Sequence, residues 1–147
     1  MSSVQDSKNP TMVGHRTDGT AVRRPLSPHL QAYDMLQMTS AMSISHRITG
    51  VVWSIGAIVL VWWLVAAASG PAAFATVQWV LGSFIGILFL MAMTATAWFH
   101  TLGGIRHLIW DAGYGFDMPS VYRSGYMVLA GTALLTVATW LLLFLSR

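Results

Sequence analysis

The chain has 147 residues, of which 55% are hydrophobic and only 9% are charged, and its formal net charge is +3. Soluble domains carry about 25% charged residues on average, so this composition excludes an ordinary soluble enzyme and a disordered chain and indicates a membrane protein. The net charge is too small for a nucleic-acid-binding surface. The absence of cysteine excludes disulfides, thiolate catalysis and cysteine-ligated iron–sulfur clusters in this chain.

The beginning of the chain differs in composition from the rest. Residues 1–24 are rich in Ser, Asp, Asn, Gly and Thr and show no apolar period, so we interpret them as a mobile tail that precedes a membrane anchor domain over residues 25–147. Between Leu26 and Met42 apolar residues take helical spacing after Ser27-Pro28, a typical helix start. This segment is predicted to form a short interfacial helix.

Three apolar stretches are long enough to cross a membrane as helices, which takes about 20 residues each. They cover about residues 48–68, 77–102 and 125–145. No Asp, Glu, Lys or Arg occurs between Arg47 and Arg106, and Ser69-Gly70-Pro71 forms an uncharged break between the first two stretches. The sequence therefore predicts an all-α integral membrane protein with three transmembrane helices.

The basic residues indicate the orientation of the chain. Those that precede the first predicted span are Lys8, Arg16, Arg23, Arg24 and Arg47. Arg106 and Arg123 flank the connection between the second and third spans. The positive-inside rule then predicts a cytoplasmic N-terminus and a C-terminus on the other side. Asp6 and Asp18 are atypical of a mitochondrial transit peptide, so we expect a bacterial inner membrane rather than a mitochondrial one.

Polar residues gather where the first predicted span begins and where the second ends, and antiparallel helices bring these places to one membrane face. On the first span they are Ser43, His46 and Arg47. On the second they are His100, Gly103, Gly104, His107 and Asp111. At 3.6 residues per turn each set forms one stripe along its helix. Ionisable residues near membrane depth are costly, so these stripes indicate a functional site.

His100 is a candidate ligand of haem iron, because a neutral imidazole nitrogen binds iron well. Gly103 and Gly104, one turn further, would leave open surface for a flat macrocycle. The alternative is a histidine that hydrogen-bonds between helices, with glycines that serve helix packing. His107 lies about 10.5 Å further along the helix axis, so the two histidines cannot both be axial ligands of one iron. His107 and Arg106 are better placed to meet haem propionates at the interface, and an interfacial histidine in water explains His107 equally well.

Ser43 and Arg47 suit a different task, since a hydroxyl and a guanidinium one turn apart can donate to the carbonyl oxygens of a quinone. The alternative for Arg47 is a basic anchor that extends to the lipid headgroups. Asp111 is interpreted as a solvated carboxylate at a helix end. The tryptophans are interpreted as packing and interface residues, and Trp110 is among them.

Three stretches carry a resemblance to a known family. They are Arg24-Pro25-Leu26-Ser27-Pro28-His29-Leu30 with Tyr33, Ser43-Ile44-Ser45-His46-Arg47-Ile48-Thr49-Gly50, and His100-Thr101-Leu102-Gly103-Gly104-Ile105-Arg106-His107-Leu108-Ile109-Trp110-Asp111. In this order they resemble the cytochrome b subunit of succinate dehydrogenase, a membrane anchor of respiratory complex II. The resemblance covers about residues 24–115, and the third apolar stretch extends it.

The resemblance implies three transmembrane helices and one haem b that is shared with a second small membrane subunit. It implies that His100 is one axial ligand of the iron and that the partner provides the other. The matching positions further imply quinone contacts at Ser43 and Arg47, a place near the haem propionates for His46 and His107, and a proton path at Asp111. Family members often have Asn where this chain has Gly103.

The function implied by the resemblance is that of a membrane anchor of succinate dehydrogenase with part of the quinone-reduction site. A flavoprotein subunit and an iron–sulfur subunit would deliver the electrons to ubiquinone or menaquinone, and this chain alone would catalyse nothing. Fumarate reductase and a haem-free structural anchor are the alternatives. A small transporter is disfavoured, because the sequence shows no internal repeat and its polar residues collect at one membrane face.

Overall fold

The computed structural model describes residues 11–25 and 34–146. In chain order its elements are strands β1 (Thr11–His15) and β2 (Ala21–Pro25) and helices α1 (Met38–Ser69), α2 (Pro71–Gly82), α3 (Phe84–Asp111) and α4 (Met118–Leu145). Helices α1, α3 and α4 are long and apolar enough to cross a membrane. The predicted architecture of three transmembrane helices is therefore confirmed.

The strands β1 and β2 form an antiparallel hairpin whose register runs from Thr11 opposite Pro25 to His15 opposite Ala21. In its turn the carboxylate of Asp18 accepts hydrogen bonds from the hydroxyl and the backbone N–H of Thr20, and these bonds lower the pKa of Asp18. The sequence predicts no strand in this part of the chain, because no alternation of apolar residues marks one. The mobility of residues 1–24 stays a prediction.

Helix α1 begins well before the predicted first span. Its 32 residues measure about 48 Å, which exceeds the ~30 Å hydrocarbon core of a bilayer. The helix therefore carries its polar first turns out of the apolar layer. Residues 26–33 of the predicted interfacial helix lie outside the described residues. Residues 34–37 are not helical, and residues 38–42 belong to the start of α1, so residues 34–42 form no separate helix.

The second predicted span is divided in the structure. Gly70 ends α1 with a φ of 123°, and Pro71 takes the first position of α2, where a missing N–H costs nothing. At the next break the hydroxyl of Ser83 donates to the carbonyl of Val80 (2.6 Å) and accepts from the N–H of Gly86 (3.1 Å). This serine caps α3, so the membrane-crossing helix begins at Phe84 and the residues before it belong to α2.

The packed centre of the bundle joins the three long helices close to the polar stripes. It consists of Met42 on α1, Phe99 on α3 and Val128 on α4, all buried. Met42 and Phe99 immediately precede Ser43 and His100 in sequence. The core therefore holds α1 and α3 together at the level of the candidate site.

Candidate functional site

Helices α1 and α3 bring the two polar stripes into contact, as the sequence predicts. A small cavity of about 160 Å³ lies between them on the side of the membrane where α1 begins and α3 ends. Its walls are formed by Thr39, Met42, Ser43, His46, Phe99, Gly103, Arg106, His107 and Trp110. The cavity therefore gathers the predicted residues Ser43, His46, Arg106 and His107 in one place.

The rings of His46 and His100 stack face to face across the helix interface. Their centroids are 4.1 Å apart and their planes differ by 9°. Each ring also contacts the backbone of the opposite helix: Nε2 of His46 lies 3.1 Å from the carbonyl oxygen of His100, and Nδ1 of His100 lies 3.2 Å from the carbonyl oxygen of His46. We call this arrangement the histidine–carbonyl pair.

The histidine–carbonyl pair determines where the ring protons lie. A carbonyl oxygen only accepts hydrogen bonds, so Nε2 of His46 and Nδ1 of His100 must each carry a proton and donate it. A neutral His100 then keeps its free lone pair on Nε2. Within the described part of the chain no hydrogen bond uses this nitrogen. It is available to a ligand that accepts an electron pair.

Two glycines of the motifs make room for the stacked rings. A Cβ atom added to Gly50 would lie 3.1 Å from Cε1 of His100, and one added to Gly103 would lie 2.5 Å from Cδ2 of His46. The expectation that Gly103 leaves open surface for a macrocycle is therefore wrong, because the ring of His46 fills that space. Gly104 matches the expectation, since nothing lies within 4 Å of a Cβ added there.

Arg106 is buried between α3 and α4 and has a structural partner that the sequence did not reveal. Its Nε donates to the hydroxyl of Ser124 and its Nη2 to the carbonyl of Val121, both at 2.9 Å. Its guanidinium carbon lies 4.0 Å from the centroid of the Trp110 ring, a cation–π distance. Over residues 11–25 and 34–146 no carboxylate pairs with it, so Arg106 brings a positive charge to the cavity wall.

The other predicted site residues lie at the border of this cluster. His107 is exposed, with its ring edge-on to that of His46 at a centroid distance of 5.1 Å. Arg47 and Asp111 are also exposed and do not line the cavity. Asp111 is the last residue of α3.

Sequence reasoning missed two participants in the site. Thr49 places its hydroxyl oxygen 3.1 Å from Nδ1 of His100, although the sequence assigned this threonine no role. Its position three residues after His46, on the same stripe, was the available signal. Trp110 was interpreted as an interface residue, whereas it lines the cavity and contacts both Arg106 and His107.

Comparison with known proteins identifies relatives of this chain. The family model of the succinate dehydrogenase/fumarate reductase transmembrane subunit matches residues 20–139. The succinate dehydrogenase cytochrome b556 subunit of Paracoccus denitrificans is 42% identical over 121 residues, which cover 82% of this chain and 92% of that relative. The cytochrome b560 subunit of Reclinomonas americana is 34% identical over 126 residues, covering 82% and 87%. The mitochondrial cytochrome b560 subunit of Bos taurus is 34% identical over 123 residues, covering 80% and 70%.

Proposed function

This chain belongs to the succinate dehydrogenase/fumarate reductase transmembrane subunit family, and we propose that it anchors a succinate:quinone oxidoreductase in the membrane, binds haem b together with a second membrane subunit and forms part of the quinone-reduction site. The observation that carries the proposal is the state of His100, whose Nδ1 is engaged by α1 while Nε2 is free. A metal-binding histidine needs this arrangement, because the hydrogen bond at one nitrogen orients the ring and leaves the other for the metal.

The donor set at the site fits a haem. His100 would hold the iron through Nε2, and His107 and Arg106 would offer N–H donors to the propionates, with the positive charge coming from Arg106. The Nε2–H of His46 is engaged by the carbonyl of His100, so we place His46 near the propionates only as the ring that stacks on the ligand. The cavity of about 160 Å³ is smaller than the roughly 300–1,000 Å³ of common ligand pockets, so the described part of this chain does not enclose a haem by itself. We therefore assign the other axial ligand to the partner membrane subunit. A bound haem supplies one-electron transfer at this place.

For the quinone, we assign the contacts to Ser43 and Arg47. Ser43 lines the cavity, and Arg47 is exposed one turn further along α1, where it is free to donate to a ligand outside the cavity. Both residues can donate to a quinone carbonyl, and Asp111 at the same membrane face is assigned to the proton path.

The protein is a multi-pass membrane protein, and we place it in a bacterial inner membrane with its N-terminus in the cytoplasm. The iron–sulfur and flavoprotein subunits would then dock on the cytoplasmic face, where Ser43 and Arg47 lie. In this complex the present chain would bind and orient the haem and the quinone, and the soluble subunits would oxidise succinate.

The haem assignment is tested by replacing His100 with Leu in the complex purified with its partner subunits. We expect loss or strong alteration of the b-type reduced-minus-oxidised spectrum, because one axial nitrogen is removed while the helix still inserts. His107→Leu is the matched control on the same helix and should retain the haem with at most a shifted potential, because His107 is assigned to the propionates and not to the iron. A bis-histidine spectrum that is unchanged in the His100 variant would contradict the proposal.

The quinone assignment is tested with Ser43→Ala and Arg47→Leu. Loss of the hydroxyl should weaken quinone binding by about 0.5–1.5 kcal/mol and loss of the guanidinium by about 1.5–3 kcal/mol, since charge-assisted hydrogen bonds are stronger. We expect both variants to lose succinate–quinone activity and to keep succinate oxidation with an artificial acceptor that takes electrons from the soluble subunits. If Arg47 only anchors the helix, both activities fall equally through poor assembly.

A further inference from the structure

We propose that Thr49 is a positioning residue for the haem ligand: its hydroxyl holds the Nδ1–H of His100 and so directs Nε2 towards the iron. This inference rests on the proposed function, because it gives a second residue of this chain a task in haem ligation. It concerns a side chain that touches the ligand and not the metal.

One arrangement of protons satisfies every contact around Thr49. Its hydroxyl donates to the carbonyl of His46, one turn earlier on α1, at 2.9 Å. A hydroxyl has one proton, so towards His100 the oxygen of Thr49 presents a lone pair. Nδ1 of His100 lies 3.1 Å from this oxygen and 3.2 Å from the carbonyl oxygen of His46. The Nδ1–H is therefore shared between two acceptors that both belong to α1.

The surroundings restrict the remaining freedom of the ring. His46 covers one face of the His100 ring, and Gly50 allows α1 to approach its Cε1 edge closely. The ring can still turn about its Cβ–Cγ bond, and both the stacking against His46 and the hydrogen bonds at Nδ1 oppose that rotation. Of the two acceptors at Nδ1, only the hydroxyl of Thr49 belongs to a side chain and can be removed by a substitution.

The same hydrogen bond affects the electronic character of the ligand. An acceptor at Nδ1–H increases the basicity of a metal-bound imidazole, and a more basic ligand favours ferric over ferrous iron. Removal of the Thr49 hydroxyl should therefore raise the midpoint potential of the haem. It should also change the anisotropy of the low-spin ferric signal, because the ring plane is less firmly held.

The experiment compares Thr49→Val, which keeps the shape and loses the hydroxyl, with Thr49→Ser, which keeps the hydroxyl. Both are measured in the complex purified with its partner subunits, by redox titration of the haem and by electron paramagnetic resonance of its ferric form. We expect a raised potential and a shifted signal, or loss of haem, in Thr49→Val, and values like those of the unsubstituted protein in Thr49→Ser. If Thr49→Val leaves the potential and the ferric signal unchanged, the proposal is overturned. It is also overturned if Thr49→Ser changes them as strongly as Thr49→Val.

A matched control is Thr136→Val on α4. Its hydroxyl also donates one turn back along its own helix, to the carbonyl of Thr132 at 2.7 Å, but it contacts no histidine. This variant should leave potential and signal unchanged, and a change like that of Thr49→Val would overturn the proposal. Failure of the proposed function is a distinct result, because the unsubstituted complex would then contain no haem whose spectrum depends on His100.

Discussion

At the scale of single residues, two neighbouring glycines have opposite surroundings. Gly103 is buried against the ring of His46, whereas the position of a Cβ at Gly104 is free. In the sequence both glycines fall on the same helical stripe as His100, and both are expected to leave open surface beside it. In the structure only Gly104 keeps that surface available, and Gly103 serves the contact between α1 and α3.

These surroundings predict different effects of one added methyl group. Gly103→Ala should destabilise the protein by about 1–3 kcal/mol, because the methyl group collides with a ring that is fixed by stacking. Gly104→Ala is the matched control and should be neutral or slightly stabilising through the helix preference of alanine. The measurement is the temperature at which the purified complex loses its haem absorbance. Equal shifts in both variants would contradict the assigned contact.

The sequence predicted which residues lie at the site better than it predicted their individual contacts. The helical period together with antiparallel helices brought His46 and His100 to one membrane face. The hydrogen bond of Thr49 and the burial of Gly103 depend on the rotation of α1 and α3 about their axes. Periodicity contains no information on that rotation, so these two roles could not be predicted.

At the scale of elements, uniformly apolar sequence concealed the division between α2 and α3. The predicted span over residues 77–102 contains no charge or proline that would mark a break. The break is made by one side chain, because Ser83 satisfies the free N–H of Gly86 at the start of α3. Conversely, Pro71 and the positive φ of Gly70 mark the end of α1 where the sequence predicts it.

At the scale of the whole molecule, the bundle buries little of its own apolar surface. The buried hydrophobic side chains of the described residues are Met42, Ala66, Val77, Phe99, Val121 and Val128. Beyond the small core the long helices border an open, mainly apolar groove of about 870 Å³. Lipid is as apolar as these side chains, so their exposure is stable only within a bilayer or against another membrane subunit.

Three membrane-crossing helices place the two ends of the chain on opposite sides of the membrane. With the basic residues of the N-terminal part in the cytoplasm, reporter fusions before Met1 and after Arg147 should report the cytoplasm and the opposite compartment, respectively. A fusion inserted at Gly70 is the control and should agree with the C-terminal one. Reporters at both ends on one side would contradict the three-helix topology.

The histidine–carbonyl pair has a genetic consequence. Its acceptors are main-chain carbonyls, which no codon change can delete, so mutations reach the pair directly only through the two rings, 54 positions apart. Any allele that preserves the helices and their packing also keeps both carbonyl acceptors. No partner side chain has to be maintained by selection for these two hydrogen bonds. Second-site suppressors of a lost ring should therefore arise in residues that shift one helix against the other, and not in a complementary partner residue.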